Sequence, residues 1–136
     1  QLKSIPDGSY DFLISCNNLE HIANPIATIF EWKRVLNNEG VMLLVLPNKV
    51  SNFDHWRPCT INEHIINDFE NKVQENDLTH VEEVLELHDL SRDPQAGTKE
   101  AFKIRCQKNF ENWYLHHHVL VKRYYWRCFC LVEWVY

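Results

Sequence analysis

Glycine is scarce in this chain. Three glycines in 136 residues, Gly8, Gly40 and Gly97, stand too far apart to build a glycine-rich turn. Long apolar runs are also missing. None approaches the roughly 18 residues that cross a bilayer, and the start lacks a basic region followed by an apolar one, so neither a membrane span nor a secretion signal is expected. A soluble, unsecreted, cytoplasmic protein is the expectation. Positive charge is outnumbered, 14 basic against 19 acidic residues for a net of −5, which excludes a broad electrostatic grip on nucleic acid and suits a small or uncharged ligand. The five cysteines, Cys16, Cys59, Cys106, Cys128 and Cys130, are odd in number and form no CxxC pair, which reads as reduced thiols rather than a disulfide framework or a structural zinc knot. Cys128 and Cys130 would share one face of a strand, where packing is the ordinary reason. With Gln1 at the start and a single methionine, Met42, further residues are expected upstream.

What is present is enough for a folded core. A 45% hydrophobic and 12% aromatic content fits one domain. Residues 4–9, with Pro6, Asp7 and Gly8, read as a turn, and residues 10–15 as a short buried strand. Asn24 before Pro25 is an N-cap with proline at the first helical position, where its missing N–H costs nothing. Ile26, Ile29, Phe30 and Leu36 then mark one helical face with Lys33 the mismatch, and Gly40 reads as a left-handed stop. Residues 41–46 form a continuous apolar run ended by Pro47, the pattern of a parallel strand covered on both faces. Strand, crossover helix and strand make a βαβ unit over residues 1–50.

The character changes after Asn48. Residues 51–59, SNFDHWRPC, form a polar and aromatic loop leaving the carboxyl end of the second strand, the place where open α/β sheets bind ligands. Thr60 with Glu63 reads as a capping box for a helix with the stripe Ile61, Ile65, Phe69 and Val73. A second helix is expected over residues 78–88, and a third is marked by Phe102, Cys106, Phe110 and Trp113 after the break at residues 91–97. Residues 51–114 are thus a substrate-side loop with a helical insertion. Residues 115–136, taken as 115–121 and 124–136, are rich in β-branched and aromatic side chains and favour strands. The first strand ends in Cys16-Asn17-Asn18-Leu19-Glu20-His21, where Cys16 and Asn17 could border a ligand, or Glu20 and His21 could simply fix the turn.

The runs YDFLISCNNLEHIANP and RVLNNEGVMLLVLPN resemble the second half of class I S-adenosylmethionine-dependent methyltransferases of the methyltransferase type 11 kind. The resemblance covers about forty residues. It implies a Rossmann-like α/β fold, incomplete and starting from about its fourth strand, in which Ser15, Cys16 and Asn17 line the methionine end of S-adenosylmethionine. The family's glycine-rich turn and its ribose-binding acid would lie before Gln1, so this fragment is expected to bind the cofactor poorly by itself. Its first strand would lose a neighbour, leaving a hydrophobic edge through which self-association is expected.

The loop FDHWRPCT is similar to one found after the fifth strand in a subgroup of these enzymes, which implies that Asp54, His55 and Arg57 face a small-molecule acceptor. Arg57 could clasp a carboxylate or phosphate, or pair with Asp54 to brace the loop. The resemblance implies in-line methyl transfer with a histidine as general base, and His55, His116 and His118 are the catalytic candidates. Some ubiquinone-type enzymes of this class bind magnesium through E-x-x-E-H at the LEH turn, but Asn17 stands here in place of the first acid. No metal ligand set is assigned, since His116 and His118 would share a strand face and need help from elsewhere. The alternative to an enzyme is a non-catalytic remnant or interaction module of methyltransferase ancestry.

Overall fold

In a computed structural model of the protein, residues 2–120 and the backbone of residues 130–135 are described. The βαβ unit is present: β1 (Tyr10–Cys16), α1 (Pro25–Val35) and β2 (Leu36–Pro47), with β1 and β2 parallel. Then come α2 (Asn62–Glu70), α3 (Val81–Leu87), α4 (Lys99–Gln107) and α5 (Asn109–Asn112). A last strand, β3 (Cys130–Val135), pairs parallel to β2, and the sheet order is β1-β2-β3. This mixed α/β arrangement with a small parallel sheet is compatible with a methyltransferase fold. No helix among the described residues is long and apolar enough to cross a membrane.

The entry to α1 follows the sequence closely. Asn24 Oδ1 accepts from the Ala27 N–H at 3.0 Å, capping a helix that begins at Pro25. The same side chain reaches across to α2, where Asn24 Nδ2 donates to the Asp68 carbonyl at 2.9 Å. The exit of α1 departs from expectation. Leu36 is already extended, at φ −78° and ψ 142°, so the helix stops four residues before Gly40 and Gly40 lies inside β2. Between the pairs Tyr10–Leu36 and Phe12–Val41 the register slips, because β2 spends more residues than β1 over this stretch. Gly40 serves close approach there. A Cβ would meet the Asn37 carbonyl oxygen and Leu36 Cβ at 3.0 Å.

The apolar face of α1 also differs. Pro25, Trp32 and Val35 are the buried positions, Ile26 and Ile29 pack at the edge of the core, and Phe30 is 58% exposed. Met42, Leu44 and Leu46 of β2 face this helix side with Ile65 of α2 and Leu120. The other sheet face is open where described. Phe12 and Ile14 are 67% and 59% exposed and Val41 42%, so these strands are not covered on both faces as the apolar run suggests.

A second core lies among the helices, built from Val81, Val84, Ala96, Phe102, Cys106 and Leu115. Here three expectations need correction. The capping box does not form: Ile61 is the N-cap of α2, while Thr60 exchanges backbone and hydroxyl contacts with Val119, at 3.0 and 2.9 Å. The helix expected over residues 78–88 is confined to Val81–Leu87, with Leu78 exposed. The third helix breaks at Lys108 into α4 and α5, which leaves Phe110 and Trp113 exposed, and Trp113 ends it in the left-handed region at φ 56°.

Residues 115–120 are buried but pair with no strand among the described residues. Their backbone groups are met instead by side chains and loops. Asn109 Oδ1 accepts from Leu115, Arg57 donates to the His116 carbonyl, the Glu20 carbonyl accepts from His118, and Thr60 serves Val119. The second expected C-terminal strand falls on β3 at residues 130–135. The rest of residues 121–136, including Cys128, lies outside the described residues.

Replacing Asn24 by alanine removes both a helix cap and the partner of the Asp68 carbonyl. A loss of about 2 kcal/mol is expected in urea unfolding, and unchanged stability would show that the cap bears no weight.

Candidate functional site

At the carboxyl end of β1, Ser15 and Cys16 pair with Leu44 and Val45. The chain then leaves the sheet at Asn17, whose φ of 45° is one that asparagine tolerates better than most residues, while its N–H still donates to the Val45 carbonyl at 2.9 Å. Cys16 and Asn17 are exposed; Ser15 is buried and its Oγ has no hydrogen-bond partner. A buried hydroxyl left without a partner calls for an explanation, and a ligand seated at the strand end is one.

The short turn Leu19–His21 follows. Glu20 is 1% exposed, with Oε2 unpartnered, and burial raises its carboxyl. Burial, and then the nearby His116, push the His21 imidazole down to about 4. The His21 and His116 rings meet edge to face at 4.3 Å, and Glu20, His21 and His116 each bring one ligand atom within 4.8 Å of the others.

Asp54, Arg57 and His116 form one buried network. Asp54 Oδ2 lies 2.5 Å from His116 Nδ1, and its Oδ1 accepts from Arg57 Nη1 at 3.1 Å. Arg57 also donates through Nε to Glu83 at 2.8 Å and through Nη1 to the His116 carbonyl at 3.0 Å. Burial works to raise the Asp54 carboxyl, but the hydrogen bond to His116 and the charges of His116 and Arg57 outweigh it and hold the group below the usual carboxylate range. Arg57, at 1% exposure, displays the bracing role that the sequence left open beside acceptor binding. To clasp an acceptor, its guanidinium would have to leave these partners. Removing one member of such a pair strands the other's charge and typically costs 3–5 kcal/mol.

The three candidate histidines go to three different carboxylates. His116 meets Asp54, while His55 Nε2 lies 2.9 Å from Asp89 Oδ2. The Ser91 hydroxyl, with His55, holds Asp89 down to about 2. His118 Nε2 lies 3.7 Å from Asp68 Oδ2, and burial, then His80 and His117, push His118 down to about 3. The structure therefore does not gather them on one reacting group. His116 brings its ring to the Glu20–His21 turn at the end of β1, where His118 contributes its backbone N–H to the Glu20 carbonyl.

Two open clefts lie elsewhere. One of about 620 Å³ runs past Trp32, Phe69 and Glu75, another of about 530 Å³ past Asp7, Arg34 and Asn37, and neither is lined by a residue the sequence nominated for catalysis, cofactor or acceptor. Beside His116, between Phe53 and Cys106, is a space of about 10 Å³, which is water-sized.

Sequence reasoning missed the residues that hold this network in place. Asn109 is 0% exposed, accepts from Leu115 at 2.8 Å and donates to His117 Nε2 at 3.0 Å. Glu83 and Asp89 sit 26 and 34 positions from their partners Arg57 and His55. Nothing in local periodicity marks such separations. The eight histidines were the available signal, since so many weakly basic side chains are more than a surface needs.

Residues 1–44 match the family model for a methyltransferase domain. Those residues span β1, the Leu19–His21 turn, α1 and part of β2, and the match supports a class I S-adenosylmethionine-dependent methyltransferase-like family. No curated protein matches the chain, and no solved structure does.

His21 makes the fold acid-sensitive. The unfolded chain takes up a proton here below about 6.5, whereas the folded imidazole resists until about 4. In that window the unfolded state binds more protons, so stability falls as pH falls, by up to about 1.4 kcal/mol per pH unit from this group. Glu20, with its raised carboxyl, has the opposite slope just above its ordinary value. Chemical denaturation at pH 7 and pH 5 of the wild type and His21→Gln should show a smaller acid loss in the variant. Equal losses would mean that His21 takes up its proton in the fold as readily as in the unfolded chain.

Proposed function

We propose that this chain forms the methionine side of an S-adenosylmethionine-dependent methyltransferase acting on a small-molecule acceptor. The carrying observation is the strand end at Ser15–Asn17, with its unpartnered buried hydroxyl, set beside the Leu19–His21 turn in the part of the chain that matches a methyltransferase domain. Ser15, Cys16 and Asn17 would hold the cofactor, and the chemistry it supplies is an electrophilic methyl group on a sulfonium. The chain's own residues position and deprotonate. Asp54 orients His116 through Nδ1, leaving Nε2 to take the proton, which is the base-and-orienter arrangement that general-base chemistry requires. Arg57 and Glu83 act one step back, fixing Asp54. His55 and His118, each engaged with another carboxylate, are assigned no proton transfer. A non-catalytic interaction module remains the second reading, favoured by the exposed apolar positions Phe12 and Ile14 on β1.

Cys16 reports on the cofactor directly, because its thiol is exposed at the strand end whereas Cys106 is buried and its thiol is pushed up to about 11. In a protein that joins this chain to the glycine-rich, ribose-binding half that the resemblance implies, saturating S-adenosylhomocysteine should slow iodoacetamide modification of Cys16, read by peptide mass spectrometry, and leave Cys59 unaffected. Equal rates with and without it would remove the cofactor from this strand end. With an acceptor found by screening small molecules against radiolabelled S-adenosylmethionine, His116→Gln should lower turnover roughly 100-fold or more. Unchanged turnover would dismiss His116 as the base.

A further inference from the structure

A second cluster of ionisable groups lies between α2, the start of α3 and the buried run 115–120, apart from the network around Arg57. His64 and Asp68 stand one turn apart on α2, so they share a face, and His64 Nε2 lies 3.2 Å from Asp68 Oδ2. His80, the residue before α3, brings its Nε2 to 3.1 Å from His64 Nε2. His118 enters from the buried run, its Nε2 3.7 Å from the same Asp68 oxygen. Around this point the rings of His64, His80 and His118 stand 4.8, 5.7 and 5.9 Å apart.

These separations match a coordination shell. A tetrahedral ion with bonds of about 2.0–2.1 Å holds its ligand atoms about 3.3 Å apart. The separations of Asp68 Oδ2 from His64 Nε2 and His118 Nε2, 3.2 and 3.7 Å, bracket that figure. A purely hydrogen-bonded core accounts for the cluster less well. Asp68 Oδ2 is buried and makes no hydrogen bond, although two imidazole nitrogens lie 3.2 and 3.7 Å from it, and His118, with a side chain 0% exposed, leaves Nδ1 without a partner. In the neighbouring trio Asp77, His80 and His117, Asp77 accepts from the Thr79 hydroxyl at 2.6 Å and His117 Nε2 accepts from Asn109 at 3.0 Å, both tighter than the 3.5 Å contact of His118 Nε2 with the Ala23 carbonyl that a bound ion would replace.

We propose that His64, Asp68 and His118 bind one divalent transition-metal ion of the zinc class through two imidazole nitrogens and one carboxylate oxygen, with His80 beside His64. The ion ties α2 to the run that carries His116, and its ligand His118 itself donates through its own N–H to the Glu20 carbonyl. The ion enters from the side of His64, whose side chain is 35% exposed. Imidazole-rich donors with a single carboxylate select zinc, cobalt, nickel or copper over magnesium or calcium.

The test is metal binding by the full 136-residue chain, freed of metal with a chelator. Calorimetric titration with Zn²⁺ should give one ion per chain, with a raised melting temperature, and Co²⁺ should develop the intense visible absorption of a tetrahedral site. His64→Ala and Asp68→Asn, checked for folding by circular dichroism, should each weaken Zn²⁺ binding roughly tenfold or more and abolish the Co²⁺ band, while Asp77→Asn should bind as the wild type does. Absence of saturable Zn²⁺ binding would overturn the proposal. So would wild-type affinity in both α2 variants, or its loss in Asp77→Asn. The readout is independent of methyl transfer, so neither result bears on the cofactor reading.

Discussion

A guanidinium at 1% exposure must find its countercharges inside the protein, and the position of Arg57 is therefore the strictest requirement in this molecule. Its partners come from three places in the chain: Asp54 from its own loop, Glu83 from α3 and the His116 carbonyl from the buried run. The network fixes how the loop after β2, the helical insertion and residues 115–120 sit together. It also lies between two apolar clusters, one under the sheet and one among α3, α4 and their neighbours. Leu115 belongs to the second and Leu120 to the first, so the run that joins them carries His116, His117 and His118 through the middle.

That middle layer is polar yet nearly closed to water. Burial acts there in one direction, toward neutral groups: it raises the carboxyls of Glu20, Asp68 and Glu75 and lowers the imidazoles of His21, His80, His117 and His118. Asp54 is the exception because Arg57 and His116 compensate it. One buried region thus holds an ionised network beside a neutral one. The ionised part has its hydrogen bonds and the neutral part has several unpartnered nitrogens and oxygens, which is the distinction between the proposed base-orienting pair and the proposed metal site.

Much of the N-terminal unit was legible because its determinants are local. Asn24 before Pro25 caps a helix through contacts within three residues, and the apolar run ending at Pro47 is a strand wherever it is placed. The boundary between α1 and β2 was misjudged at Gly40. Glycine marks both a helix stop and a close backbone approach, and only the neighbouring Asn37 carbonyl and Leu36 side chain reveal which. Thr60 shows the same ambiguity, since a residue suited to cap α2 serves Val119, 59 positions away.

Sequence by itself determined the α/β character, the parallel pair of strands, the helix start and the set of residues able to do chemistry, because composition, periodicity and capping act over a few residues. It could nominate His55, His116 and His118 together. Only the tertiary structure decided that they part, one to Asp89, one to Asp54 and one to Asp68. It also decided that Arg57 is enclosed and that His64, Asp68 and His118 converge. The physical reason is that a side chain's charge state and partners depend on what is packed around it, and here those neighbours arrive from 34 to 62 residues away.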